Sequence, residues 1–232
     1  QWLVGKSCTS VQSVGTLSHF CEANKPEGAP KRCMDGCPHK DECYYYAPAL
    51  YRFPTAEVEH FKAVVVNKFN PSDDELDEIL KTSPYGRCVY QCDNDVVDHQ
   101  IVNMQFGEEN YTSLTMSAFN KGGRTTVFMG TKGELRADME NQTMDFYSFE
   151  TGESKNVYTP DKILDQTIAG GHGGGDMGIM EDLYGYIALD EPSFSVSDIN
   201  TSVRSHLICF AAEEARKSGK TVEMDDFIKT LQ

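Results

Sequence analysis

Apolar and polar residues take turns along the middle of the chain: Val102-Asn103-Met104-Gln105-Phe106 alternates, and Leu114-Thr115-Met116-Ser117-Ala118 alternates again. A period of two puts every second side chain on one face, so both segments are predicted to be half-buried β-strands. Arg124 to Met129 continues the pattern, and Gly130-Thr131-Lys132-Gly133 supplies a turn. Shorter strands are predicted over 135–138, 143–149 and 154–158, with Thr151-Gly152-Glu153 as another hairpin turn. Upstream, Val11, Val14 and Leu17 among Ser and Thr predict a strand within 8–20. Consecutive short strands imply an antiparallel meander and a large sheet.

Elsewhere the period lengthens. Ser72-Asp73-Asp74-Glu75 ahead of Leu76, Ile79 and Leu80 is a capping-box start, which predicts a helix over about 73–81. Met180, Leu183, Tyr184 and Ile187 recur at helical spacing, and so do Ile199, Val203, Leu207 and Phe210. Ser197 and Asp198 start the second of these helices, Gly219 stops it, and the acidic run from Glu223 leads into a short terminal turn or helix. Helices backing a sheet make the expected class α+β, with the helices packed on one face.

Residues 21–54 fit neither period. They are rich in Pro, Gly and Cys, and an irregular excursion of that length needs its own source of order. Cys21, Cys33, Cys37 and Cys43 crowd this stretch, whereas Cys8, Cys88, Cys92 and Cys209 are scattered. Clustered thiols point toward a metal more than toward a disulfide framework. Zinc takes four soft ligands tetrahedrally, and His19 with Cys33, Cys37 and Cys43 is the expected set, Cys21 or His39 being able to replace the histidine. Reduced buried thiols or one local disulfide are the competing account.

Composition narrows the partners. With 36 acidic against 21 basic residues the formal charge is -15, which repels phosphate backbones and anionic lipid surfaces, so no nucleic-acid partner is expected. No stretch approaches the roughly 18 to 20 consecutive apolar residues of a membrane span, so no membrane partner is expected either. The first residues, Gln1-Trp2-Leu3-Val4-Gly5-Lys6, lack an initiator Met and a signal segment. They read as an internal point of a longer gene, and a cytoplasmic location is expected.

Two further segments concentrate chemistry. Gly170-Gly171-His172-Gly173-Gly174-Gly175-Asp176 runs into a helix, where glycine amides can approach a ligand and His172 can serve it. A hinge with Asp176 as helix cap is the alternative. Tyr85-Gly86-Arg87 and Asp98-His99 place ionisable groups just ahead of the best strand: Arg87 can clamp an anion and His99 can orient a hydroxyl. A solvated turn closed by an Arg–Asp pair is the alternative for Arg87. No strand leads into a G-x-G-x-x-G with the acidic residue that should follow, so there is no dinucleotide fingerprint, and no complete G-x-x-x-x-G-K-[ST] phosphate-binding loop is present.

Val14-Gly15-Thr16-Leu17-Ser18-His19-Phe20, the run from Glu27 to Pro38, Tyr85 to Tyr90 with Cys92 to Gln100, Met129 to Glu134 and Gly170 to Asp176 together resemble the C-terminal domain of Gfo/Idh/MocA oxidoreductases, in a bacterial branch with a Cys-rich insertion. The resemblance covers nearly the whole chain, and it implies that the large sheet is open and mainly antiparallel. It implies that residues 1–232 form a substrate-binding and oligomerisation domain, with 21–54 as the insertion. It also implies an N-terminal Rossmann domain, outside this chain, that binds NAD or NADP. The family's catalytic lysine segment would lie upstream, so no catalytic residue carries over and the isolated chain is expected to be inactive. By position, Tyr85, Arg87, His99 and His172 match segments near the substrate. A sugar, cyclitol or related polyol is the implied substrate, and the sheet face implies a homo-oligomer. A zinc-stabilised dimerisation or ligand-binding module without redox activity, and an NAD-dependent glycoside hydrolase, are the alternatives.

Overall fold

The computed structural model describes residues 1–158, 175–191, 193 and 197–231. Its strands and helices fall into two compact units, Gln1–Phe119 with Phe210–Gln232, and Asn120–Cys209.

The first unit is built on a four-stranded sheet in the order β3-β2-β1-β8. It comprises β1 (Cys8–Thr16), β2 (His99–Phe106), β3 (Asn110–Ser117) and the two-residue β8 (Val222–Glu223). Every pairing is antiparallel, as the alternating segments require. Val11, Val102 and Phe106 are buried, whereas Val14 and its partner Ile101 stay exposed on the other face. Gly15 lets β2 approach β1: a Cβ there would sit 2.6 Å from the His99 carbonyl oxygen and 2.9 Å from Gln100 Cα.

Between β1 and β2 the chain makes its long excursion. It contains a single 3-10 turn, Glu22–Asn24, before α1 (Ala47–Leu50), α2 (Ala56–Val66) and α3 (Asp73–Thr82). The predicted capping box of α3 is formed: the Glu75 N–H donates to Ser72 Oγ at 3.2 Å and the Ser72 N–H donates to Glu75 Oε2 at 2.9 Å. Leu76 and Leu80 of this helix are fully buried in a cluster with Cys33, Ala47 and Val65. The irregular loop is therefore tied to α2 and α3 by a core of its own. Arg32 adds a polar tie, its guanidinium donating to the carbonyls of Leu80 and Ser83 at the end of α3. After β8 the unit closes with α6 (Met224–Lys229), in which Met224 is buried.

The second unit carries the meander β4 (Thr125–Met129), β5 (Gly133–Asp138), β6 (Thr143–Ser148) and β7 (Ser154–Asn156), all antiparallel neighbours. The Gly130 N–H donates to the Gly133 carbonyl at 2.9 Å across the predicted turn, and Gly152 takes φ +68° in the next. Two helices follow, α4 (Gly175–Ala188) and α5 (Ile199–Ser218), and α5 gives its residues from Phe210 onward to the first unit. Asp198 accepts the Thr201 N–H at 2.7 Å as the cap of α5, and Gly219 ends it at φ +66°.

The architecture is thus α+β with antiparallel sheets and helices. The strands read as a single large sheet divide between two four-stranded sheets, and β3 and β4 share no ladder. Gly122 and Gly123, both at positive φ, lie in the segment that separates them. Among the described residues no helix is long and apolar enough to cross a membrane.

Candidate functional site

Register decides what stands together. Thr16 pairs with His99, and His99 pairs with Ser117, so the end of β1, the start of β2 and the end of β3 meet at one edge of the first unit's sheet. The backbone continues the match past the strands: the Asp98 N–H donates to the Thr16 carbonyl at 3.0 Å, and the Ala118 N–H to the Asp98 carbonyl at 2.8 Å. Residues 18–20, 98–99 and 118–119 are thereby gathered although they are far apart in sequence.

Asp98 is the centre of this edge. Its side chain is only 1% exposed. Oδ2 accepts the consecutive backbone N–H groups of Ser18, His19 and Phe20 at 2.9, 2.6 and 3.3 Å. Such a run of amides forms a concave nest for an anion. Oδ1 faces His99 Nδ1 at 2.7 Å. Burial pushes the carboxyl upward, but the His19 amide, the His99 ring and the Phe20 and Ser18 amides outweigh it and hold Asp98 below the ordinary carboxylate range. An ionised carboxylate only accepts, so the proton between the two side chains belongs to His99 Nδ1. In the neutral ring that assignment leaves His99 Nε2 as an acceptor, on a side chain that is 45% exposed.

Aromatic rings surround this pair. The His19 ring lies edge-on to Phe20, Tyr90 and Phe119 with centroids 5.0, 5.5 and 5.2 Å apart. Phe20 and Phe119 stack at 5.7 Å, Tyr45 meets Phe20 at 5.1 Å, and His99 lies 6.4 Å from Phe119. Edge-to-face and offset contacts at these distances are the favoured geometries of ring pairs. The result is an apolar surface with one oriented imidazole at its border.

The other expected substrate residues are placed differently. Arg87 is engaged: Nη1 donates to Asp93 Oδ1 at 2.8 Å and Nη2 to the Gln91 carbonyl at 3.0 Å. The hydrogen bond from Arg87 holds the Asp93 carboxyl down, and the same bond raises the guanidinium. The pair closes a turn and leaves the Arg87 side chain 32% exposed. Tyr85 lies in the 3-10 turn Pro84–Gly86, half exposed and edge-on to Tyr51 at 6.4 Å. His172 and its glycine-rich segment, residues 170–174, lie outside the described residues.

Of the expected metal set, Cys33, Cys37 and Cys43 line one small cavity, and Cys88, not foreseen, lines it with them. His19 does not, because its ring belongs to the aromatic group, with Nε2 3.4 Å from the Tyr90 hydroxyl. All eight cysteines are free. Burial pushes the Cys33 thiol up, the Ala47 amide opposes it, and the nearby Cys88, Cys43 and Cys37 push it further. Cys88 is raised by burial in the same way, with Cys37, Cys43 and Cys92 adding to it. Among the described residues no three His, Cys, Asp or Glu side chains are already disposed to hold a metal ion.

No protein-family model matches the chain. It is 24% identical over 205 residues to a Bacillus subtilis (strain 168) protein named "Putative oxidoreductase YteT", covering 79% of this chain and 43% of that protein. The chain thus spans less than half the length of that relative. Among solved structures it is similar to an oxidoreductase from Agrobacterium radiobacter, crystallised with NAD+, L-tartaric acid and magnesium (TM-score 0.46, 12% identity, 59% of this chain and 41% of that one). It is also similar to an oxidoreductase domain protein from Kribbella flavida (TM-score 0.44, 20% identity, 62% of this chain and 40% of that one).

Proposed function

We propose that this chain is the substrate-side half of an NAD(P)-dependent oxidoreductase of the Gfo/Idh/MocA type that acts on a sugar, cyclitol or related polyol. The carrying observation is the Asp98–His99 pair: a buried carboxylate orients a half-exposed imidazole next to the Phe119 ring, which itself stacks on Phe20. A polyol asks for both features, an acceptor for a hydroxyl and an apolar surface for its C–H faces. The likeness to a protein named as an oxidoreductase supports the same reading.

In this proposal the hydride chemistry belongs to NAD or NADP held by a separate Rossmann domain. His99 Nε2 accepts a hydrogen bond from a substrate hydroxyl and fixes its orientation, which is where geometry contributes to rate. Tyr85, Arg87 and His172 are proposed as further substrate contacts. The exposed sheet face with Val14 and Ile101 is proposed as the surface that pairs two copies.

The test is reduction of NAD and of NADP by the full-length protein over a panel of sugars and polyols. Turnover with at least one of them is expected, and His99→Gln should lower kcat/KM by about 100-fold. The chain alone should show none. Full-length protein without turnover on any panel member, or an unchanged His99→Gln variant, overturns the reading.

A further inference from the structure

Cys33, Cys37, Cys43 and Cys88 come from two distant stretches of sequence and end on the wall of one cavity. Backbone pairing forces the meeting. Arg32 and Arg87 form an antiparallel bridge. It is flanked by the Cys33 N–H donating to the Gly86 carbonyl and the Cys88 N–H donating to the Lys31 carbonyl, both at 2.9 Å. Cys43 stands on a turn in which its own N–H donates to the His39 carbonyl at 2.9 Å. The rest of the wall is mostly apolar, with Ala29, Pro30 and Val89 among its members. The cavity measures about 20 Å³. That is room for one ion or water-sized atom and for no organic ligand.

None of the four sulfurs is spent in a disulfide. Four free thiols around an atom-sized space match one ligand chemistry, a soft divalent cation in a tetrahedral sulfur site. We propose that Cys33, Cys37, Cys43 and Cys88 bind one zinc ion as four thiolates, a structural site that pins the 21–54 excursion to the 84–91 segment. Each thiol gives up its proton to solvent as its Zn–S bond forms, four protons per ion. The thiols are not yet disposed around one point, and the proposal requires rotation about each χ1 bond to bring the four sulfurs onto the ion. His19 stays with the aromatic rings. His39, which also lines the cavity, is occupied through Nε2 by the Glu27 carbonyl at 2.7 Å.

The site accounts for the order of a segment whose only regular elements before Pro54 are one 3-10 turn and the four-residue α1. It does not depend on the redox reading, since zinc itself carries no electrons here.

Elemental analysis of the purified full-length protein should find one zinc per chain. Cobalt(II) exchanged into it should give thiolate-to-metal charge-transfer bands and the strong visible absorption of a tetrahedral four-sulfur site. Cys88→Ser should weaken zinc binding by at least about tenfold, while His19→Ala and Cys21→Ser keep one zinc per chain. Because loss of a ligand can also unfold the loop, alkylation of the unaltered protein gives a second readout. The four cysteines should react only after a chelator removes the metal. Absence of zinc both as purified and after zinc addition overturns the proposal. So does full zinc retention by Cys88→Ser, iron in place of zinc, or a disulfide joining any two of the four.

Discussion

Asp98 Oδ1 accepts the proton on His99 Nδ1 at 2.7 Å while its other oxygen is filled by three backbone amides. The two oxygens therefore hold different jobs, and one substitution separates them. In Asp98→Asn the amide oxygen must face the three N–H donors, which turns the NH2 group toward His99. Two donors cannot share that contact, so the ring proton moves to Nε2. Nitrogen chemical shifts of the His99 ring are expected to report the switch, with Nε2 changing from acceptor to donor. An unchanged tautomer would show that the carboxylate does not set it.

The same carboxylate predicts acid behaviour. Asp98 is held below the ordinary value, so the unfolded chain takes up its proton first as pH drops. Its contribution is fully present above the unfolded value of about 3.9 and is lost as pH falls through the lower folded value. Glu213, lowered to about 2 by hydrogen bonds from Arg216 and Lys217, acts in the same direction. Urea midpoints measured from neutral pH down to about pH 2.5 should fall for the parent protein, and the fall should be shallower in Asp98→Asn. Parallel curves for the two proteins would remove Asp98 from this account.

Gly86 joins α3 to the cysteine segment. A Cβ there would lie 1.8 Å from the Leu80 carbonyl oxygen and 3.0 Å from Arg32 Nη2, which donates to that same oxygen. The obstacle is backbone, so relief requires moving the last turn of α3 or the Cys33–Gly86 hydrogen bond. Gly86→Ala is expected to cost about 3 kcal/mol, the upper end of overpacking penalties. A melting temperature within a degree or so of the parent's would contradict this crowding.

Much of this fold was legible because its signals are local. Leu76, Ile79 and Leu80 with the Ser72–Glu75 box announce α3, and the alternation from Val102 announces β2. Helix α2 escaped because its run of Val64, Val65 and Val66 carries no clear helical stripe, although Thr55 accepts the Val58 N–H as its cap. The site was legible only in part. Asp98-His99 reads as a polar pair, but the amides that hold Asp98 are about 80 positions away. His19 looked like a zinc ligand beside nearby cysteines, and only tertiary packing puts it among rings. Cys88 lacks a local cue because the bridge through Arg32 and Arg87 is what brings it to Cys33.

The small core beneath the excursion carries a prediction that compares two leucines. Leu76 is fully buried among Cys33, Ala47, Val65 and Leu80, whereas Leu50, at the end of α1, is 45% exposed. Truncating a buried leucine loses its transfer free energy and leaves a cavity, so Leu76→Ala should cost about 3 kcal/mol. Leu50→Ala keeps much of its surface in water before and after, and should cost under about 1 kcal/mol. Denaturant titrations with matched slopes measure both. Because Cys33 shares the cluster, Leu76→Ala should also quicken alkylation of Cys33 in chelator-treated protein, while Leu50→Ala leaves it unchanged. Equal costs for the two leucines would mean that the excursion is not held by this core, and that some other contact keeps residues 21–54 in place.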